Sequence, residues 1–104
     1  MNIQEFNLKT GITTRRPRII CNDGFSMSVQ GSEYHYCSPR KNKNEYYEME
    51  IGFPSKREQL ILNYAEQKHK PKKTVYGYVP VNLIDEVIKK HGGIDKEKTF
   101  KNNR

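Results

Sequence analysis

Apolar and polar positions alternate without a break over Phe25-Ser26-Met27-Ser28-Val29-Gln30, putting Phe25, Met27 and Val29 on one face and small polar groups on the other. Such a period of two predicts a half-buried strand. Arg18–Asn22 predicts the strand before it. Asp23-Gly24 between the two predicts a hairpin whose turn takes positive φ at both central residues. Tyr47, Met49, Ile51 and Phe53 repeat the period, with Tyr46, Glu48 and Glu50 opposite, and predict a third strand ending at Pro54. Thr74–Val79 predicts a fourth. Val75 and Val79 fall on one face, Tyr76 and Tyr78 on the other, and Gly77 is placed for a bulge or a close backbone approach.

The spacing then turns helical. Leu83, Ile84, Val87 and Ile88 form an apolar stripe after Pro80, which suits a first helical turn. Asp85→Lys89 and Glu86→Lys90 pair along the wet side, and Gly92 is the expected stop. Ser55-Lys56-Arg57-Glu58 matches a capping box, and Leu60, Ile61, Tyr64 and Ala65 follow at helical spacing. This predicts a short middle helix over about 56–67, although LILNY also fits an extended segment. Residues 1–14 are weakly patterned and predict an edge strand or arm anchored by Ile3, Phe6, Leu8 and Ile12. Thr13–Arg18 reads as a basic lead-in, a solvated linker in preference to a phosphate-contacting arm. Residues 95–104 read as a loose charged tail on which Phe100 has the means to dock. The whole predicts a single α+β domain over 1–104 with an ordered core of about 15–94. Its centre is a small antiparallel sheet of about four or five strands with a C-terminal helix.

Composition adjusts this picture in two ways. Apolar residues are 34% of the chain and charged residues 30%, so the core is modest and a homo-oligomer would cover surface that one copy leaves open. The formal charge of +7, from 19 lysines and arginines against 12 acids, favours phosphates, nucleic acid or acidic protein surfaces as partners. No apolar run reaches the roughly 18 residues of a membrane span, and MNIQEFNLKT lacks a basic-then-apolar leader. Two cysteines, Cys21 and Cys37, are too few for a disulfide scaffold. A cytoplasmic protein with reduced thiols is expected.

Most candidate chemistry falls away on inspection. Cys21, His35 and Cys37 are metal-ligand types without zinc-knuckle spacing, so no metal is expected. Cys37 and His35 lie two apart on an extended segment and point in parallel, which makes proton transfer between them awkward. Glu48 and Glu50 share a strand face as solvated surface, and no glycine loop opens a helix to cradle a phosphate or a cofactor. What remains is anion and aromatic recognition. Arg40 would grip phosphate, Tyr34, His35 and Tyr36 would line or stack, and Tyr76, Tyr78 and Arg57 are further ligand-binding candidates among seven tyrosines. Tyrosines on a sheet serve equally as core rims or subunit contacts.

The segments IICNDGFSMSVQGSEYHYCSPR and VYGYVPVNLIDEVIKKHGGI, joined through YEMEIGFPS, resemble a group of short proteins encoded by bacteriophages. The resemblance covers roughly half the chain and implies a strand-rich core closed by one helix. It implies no residue-level role. Phage proteins of this size often counter host defences, and the resemblance together with the arginines and tyrosines near loops leads us to expect a non-enzymatic protein of the host cytoplasm that sequesters a small phosphate-bearing nucleotide immune signal without cleaving it. The alternative it implies is an inhibitor that binds a host nuclease, a CRISPR complex or nucleic acid directly.

Overall fold

A computed structural model gives the fold and describes residues 1–101. In chain order the elements are helix α1 (Ile3–Thr10), strands β1 (Ile19–Ile20), β2 (Ser26–Gln30) and β3 (Glu48–Gly52), a 3-10 helix (Gln59–Tyr64), strand β4 (Val75–Pro80), and helices α2 (Val81–Lys90) and α3 (Lys96–Lys101). The four strands form one antiparallel sheet in the order β1-β2-β3-β4. The fold is α+β, as the patterning predicts. Met27, Val29, Met49 and Ile51 enter the core together with Ile84, Val87 and Ile88 of α2. Ser26, Ser28, Glu48 and Glu50 occupy the other, half-exposed face of the sheet.

The hairpin turn differs from expectation. Only Gly24 takes positive φ (95°). The Gly24 amide donates to the Cys21 carbonyl (2.9 Å) and the Cys21 amide to the Phe25 carbonyl (2.8 Å), which closes a three-residue loop. Such loops need the left-handed conformation at their last position alone, so Gly24 suffices and Asp23 is released to accept from the Phe25 amide (2.9 Å). Strand β3 is also shorter than its pattern. Tyr47 and Phe53 are exposed, whereas Tyr46 is buried with its hydroxyl donating to the Lys41 carbonyl (2.7 Å). The middle helix shrinks to a 3-10 helix. Glu58 caps it by accepting from the Leu60 amide (2.9 Å), and Ser55 is diverted to accept from the Ser26 amide.

Both ends of the chain are more structured than their patterns suggest. Asn2 and Glu5 form a reciprocal capping box that starts α1, and Ile3 and Phe6 of that helix are fully buried, while Leu8 and Ile12 stay exposed. At the other end Asp95 accepts from the Lys98 amide and starts α3. Thr99 accepts from the Ile20 amide (3.0 Å), and Phe100 lies 5.9 Å from Phe6. Residues 102–104 of the expected tail lie outside the described residues. Helix α2 keeps its predicted stripe, with Pro80 one position earlier, at the N-cap. The expected pairs along it are replaced by tertiary ones. Asp85 accepts from the Ile3 amide (2.7 Å), and Lys90 donates to Glu58 (2.9 Å). Among the described residues no helix is long and apolar enough to cross a membrane.

Candidate functional site

Bulges re-aim side chains, and β4 carries one. Met49 faces Val79 but Ile51 faces Tyr76, so three steps on β4 match two on β3, and Gly77 and Tyr78 together oppose the single Glu50. The bulge separates two tyrosines that strict alternation puts on one face. Tyr76 turns inward and is fully buried, with its hydroxyl donating to the Pro71 carbonyl. Burial raises its phenol above the ordinary value, against the opposing charge of Arg57. Tyr76 is therefore a core residue rather than a pocket wall. Tyr78 turns outward at φ 54°, a region that a bulky side chain adopts only where its surroundings impose it.

The segment after β2 meets Tyr78 there. The Tyr78 amide donates to the Tyr36 carbonyl (3.0 Å), and the Tyr36 amide donates to the Glu50 carboxylate (3.0 Å). Gly77 allows this approach, because a Cβ at that position would stand 3.2 Å from the Tyr36 Cβ. The Tyr36 and Tyr78 rings lie 5.9 Å apart at a tilt, and the Arg40 guanidinium sits 5.4 Å over the Tyr36 ring. Arg40 donates from Nε to the Glu33 carbonyl (3.2 Å), which leaves its terminal nitrogens without a hydrogen bond among the described residues. Tyr34, 71% exposed, belongs to the same loop.

Below this surface the loop is stapled. Ser32 is buried; its hydroxyl lies 2.6 Å from His35 Nδ1 and accepts from the Tyr34 amide, and its carbonyl accepts from Cys37 Sγ (3.2 Å). Burial is the main influence on both titrating side chains, lowering His35 and raising Cys37. Cys21 is likewise buried, with its thiol pushed up to about 11, and neither cysteine is in a disulfide. Thiols held in that state are poor nucleophiles. Among the described residues, no three His, Cys, Asp or Glu side chains gather in a way that could hold a metal ion.

The structure thus brings Tyr36, Tyr78 and Arg40 together, with Tyr34 and His35 on the same loop. It sends Tyr76 into the core and leaves Arg57 on the exposed approach to the 3-10 helix. Tyr34, Tyr36, Tyr78 and Arg40 are all exposed, so the cluster is an open platform.

A cationic concavity lies elsewhere. It measures about 520 Å³ and is walled by Arg15, Arg16, Arg18, Ser28, Gln30 and Lys98. Lys98 carries no local signal for this position, because its helix depends on Asp95 and Thr99 bonding the chain. No family model, no curated protein and no solved structure matches this chain.

Proposed function

We propose that this protein is a non-enzymatic binder of a small phosphate-bearing nucleotide, acting by sequestration in the manner of a phage anti-defence protein. The observation that carries the reading is the exposed stack of Arg40 on Tyr36 beside Tyr78, with the terminal nitrogens of Arg40 unengaged. A base laid on the phenol rings gains stacking energy of about 1–3 kcal/mol. The free edge of the guanidinium then meets phosphate oxygens in a charge-assisted pair. Nothing on the platform is aligned to attack a phosphoester, because Cys37 is buried and His35 Nδ1 already faces the Ser32 hydroxyl. A second copy laid over the open platform would enclose the ligand, so the reading includes a homo-oligomer.

Melting shifts with cyclic and linear nucleotides, followed by heat release and mass spectrometry, test this. We expect stabilisation by a subset of nucleotides, recovery of the ligand intact, and loss of the shift in Arg40→Ala. Tyr36→Ala is expected to weaken binding roughly tenfold or more. An unchanged shift in Arg40→Ala, or a chemically altered ligand, defeats the reading. The openness of the platform favours one alternative, direct contact with a host nuclease or with nucleic acid. Under that alternative no nucleotide shifts the melting point.

A further inference from the structure

The 520 Å³ cationic concavity has a neighbour. A second one, of about 450 Å³, shares Arg15 and Pro17 with it and adds Lys9, Thr13 and Phe100 to the wall. The two run along the β1 edge of the sheet and α3, and Gln30 in the wall pairs with Glu50 on β3. Lys9, Arg15, Arg18 and Lys98 are the exposed cations of this groove, and no aspartate or glutamate lines either part. Ion pairs among the described residues join Lys90, His91, Glu58 and Asp23 only, so none neutralises the groove.

Two of these cations are held in place. Arg18 donates to Ser26 Oγ (2.9 Å) and to the Ser26 and Phe53 carbonyls, and Lys9 Nζ sits 5.0 Å over the Phe100 ring. Arg16 lies buried behind them with both terminal nitrogens spent on carbonyls and its buried Nε unpartnered among the described residues, adding positive charge.

We infer that this groove takes the phosphodiester backbone of single-stranded nucleic acid. Cations spread along two concavities that share a wall match a repeating anion, whereas a single phosphate calls for donors that converge on one point. The walls are polar and hollow, the opposite of the projecting apolar and basic face with which a helix engages a membrane. Ser28, whose hydroxyl accepts from Gln30 and keeps its own hydrogen, adds a side chain able to hydrogen-bond a phosphate oxygen without reading sequence. The inference stands apart from the nucleotide reading, since the two sites share no residue.

The test is fluorescence anisotropy of the full chain with a labelled oligothymidylate over a range of salt concentrations. Arg15 and Lys98 are exposed, and neither side chain makes a hydrogen bond among the described residues, so Arg15→Ala/Lys98→Ala should fold, as a melting curve will verify. This double variant is expected to bind about tenfold more weakly. Its log–log salt slope should be shallower by about 1.4, at roughly 0.7 per lost phosphate contact. Lys72→Ala/Lys73→Ala removes the same charge outside the groove and is expected to bind within about twofold of wild type. Equal losses in both double variants would reduce the effect to net charge and overturn the inference. So would absence of salt-dependent binding by the wild type, or weakening in Arg40→Ala alone, which would put the strand on the aromatic platform.

Discussion

Arg16 shows how far one side chain departs from what its neighbours suggest. Within Thr13–Arg18 it reads as one of three solvent-facing arginines, yet it is 2% exposed. Its terminal nitrogens reach the carbonyls of Thr13, Gly31, Gly11 and Lys43, and its guanidinium lies 5.7 Å over the Tyr46 ring. Gln30 completes the clamp by accepting from the Arg16 amide (2.7 Å) and donating to the Arg16 carbonyl (2.8 Å), as a strand partner would. Burial lowers the Arg16 guanidinium from its ordinary value, and the Tyr46 side chain opposes that shift. Removing the guanidinium leaves several carbonyls without partners at a cost of about 1–3 kcal/mol for each one left buried. Arg16→Ala is therefore expected to lose at least about 3 kcal/mol in denaturant unfolding. Arg16→Lys should recover less than half of that, because an ammonium cannot span four acceptors. A loss below about 1 kcal/mol would show that water replaces the clamp. The sequence announces an arginine here. That four carbonyls converge on it depends on loops whose paths no local pattern dictates.

At the scale of elements, alternation and helical spacing locate β2, the centre of β3, β4 and α2, because in each the apolar face is long enough to decide its own register. Legibility fails where a tertiary contact outranks the local pattern. Helix α1 buries only two apolar residues, Ile3 and Phe6, beside the polar Asn7, too little for periodicity, and the Asn2–Glu5 capping box is its local signal. In β4 the glycine cue was sound, but its consequence is a phase shift that sends Tyr76 in and Tyr78 out. That shift supplies a direct test of whether Tyr78 serves function or packing. Asparagine tolerates the left-handed region, so Tyr78→Asn relieves about 1–2 kcal/mol of backbone cost and loses about 0.5–1.5 kcal/mol of ring contact with Tyr36. Its unfolding free energy should stay within about 1 kcal/mol of wild type while the proposed nucleotide binding falls roughly tenfold. Gly77→Ala should instead cost about 1–3 kcal/mol, since the new methyl group crowds the Tyr36 Cβ. A Tyr78→Asn protein destabilised as much as Gly77→Ala would make the ring a structural prop.

Across the whole molecule, one polar chain ties three distant segments. The His91 ring at the end of α2 has Nδ1 2.7 Å from Asp23 in the hairpin turn and Nε2 2.7 Å from Glu58 at the start of the 3-10 helix. Lys90 donates to the other Glu58 oxygen (2.9 Å), and Phe25 stacks on the imidazole at 4.0 Å. Glu58 is 2% exposed, and burial alone would raise its carboxyl. The Leu60 amide, Lys90 and His91 outweigh that and hold it below the ordinary glutamate value. Asp23 is held low chiefly by the Phe25 amide and then by His91. A carboxylate whose folded value lies below its unfolded one adds stability that is complete above the unfolded value and disappears as pH falls through the folded value. The domain should therefore weaken on acidification below the ordinary carboxylate range, with the hairpin, the 3-10 helix and α2 losing their tie together. Urea titrations from about pH 3 to pH 7 will read this as a declining midpoint. Glu58→Gln is expected to lower the midpoint at neutral pH and flatten its acid-side slope, whereas Asp23→Asn, at a half-exposed site, should do so weakly. If Glu58→Gln kept the wild-type slope, the acid sensitivity would belong to other carboxylates and the chain through His91 would be packing alone.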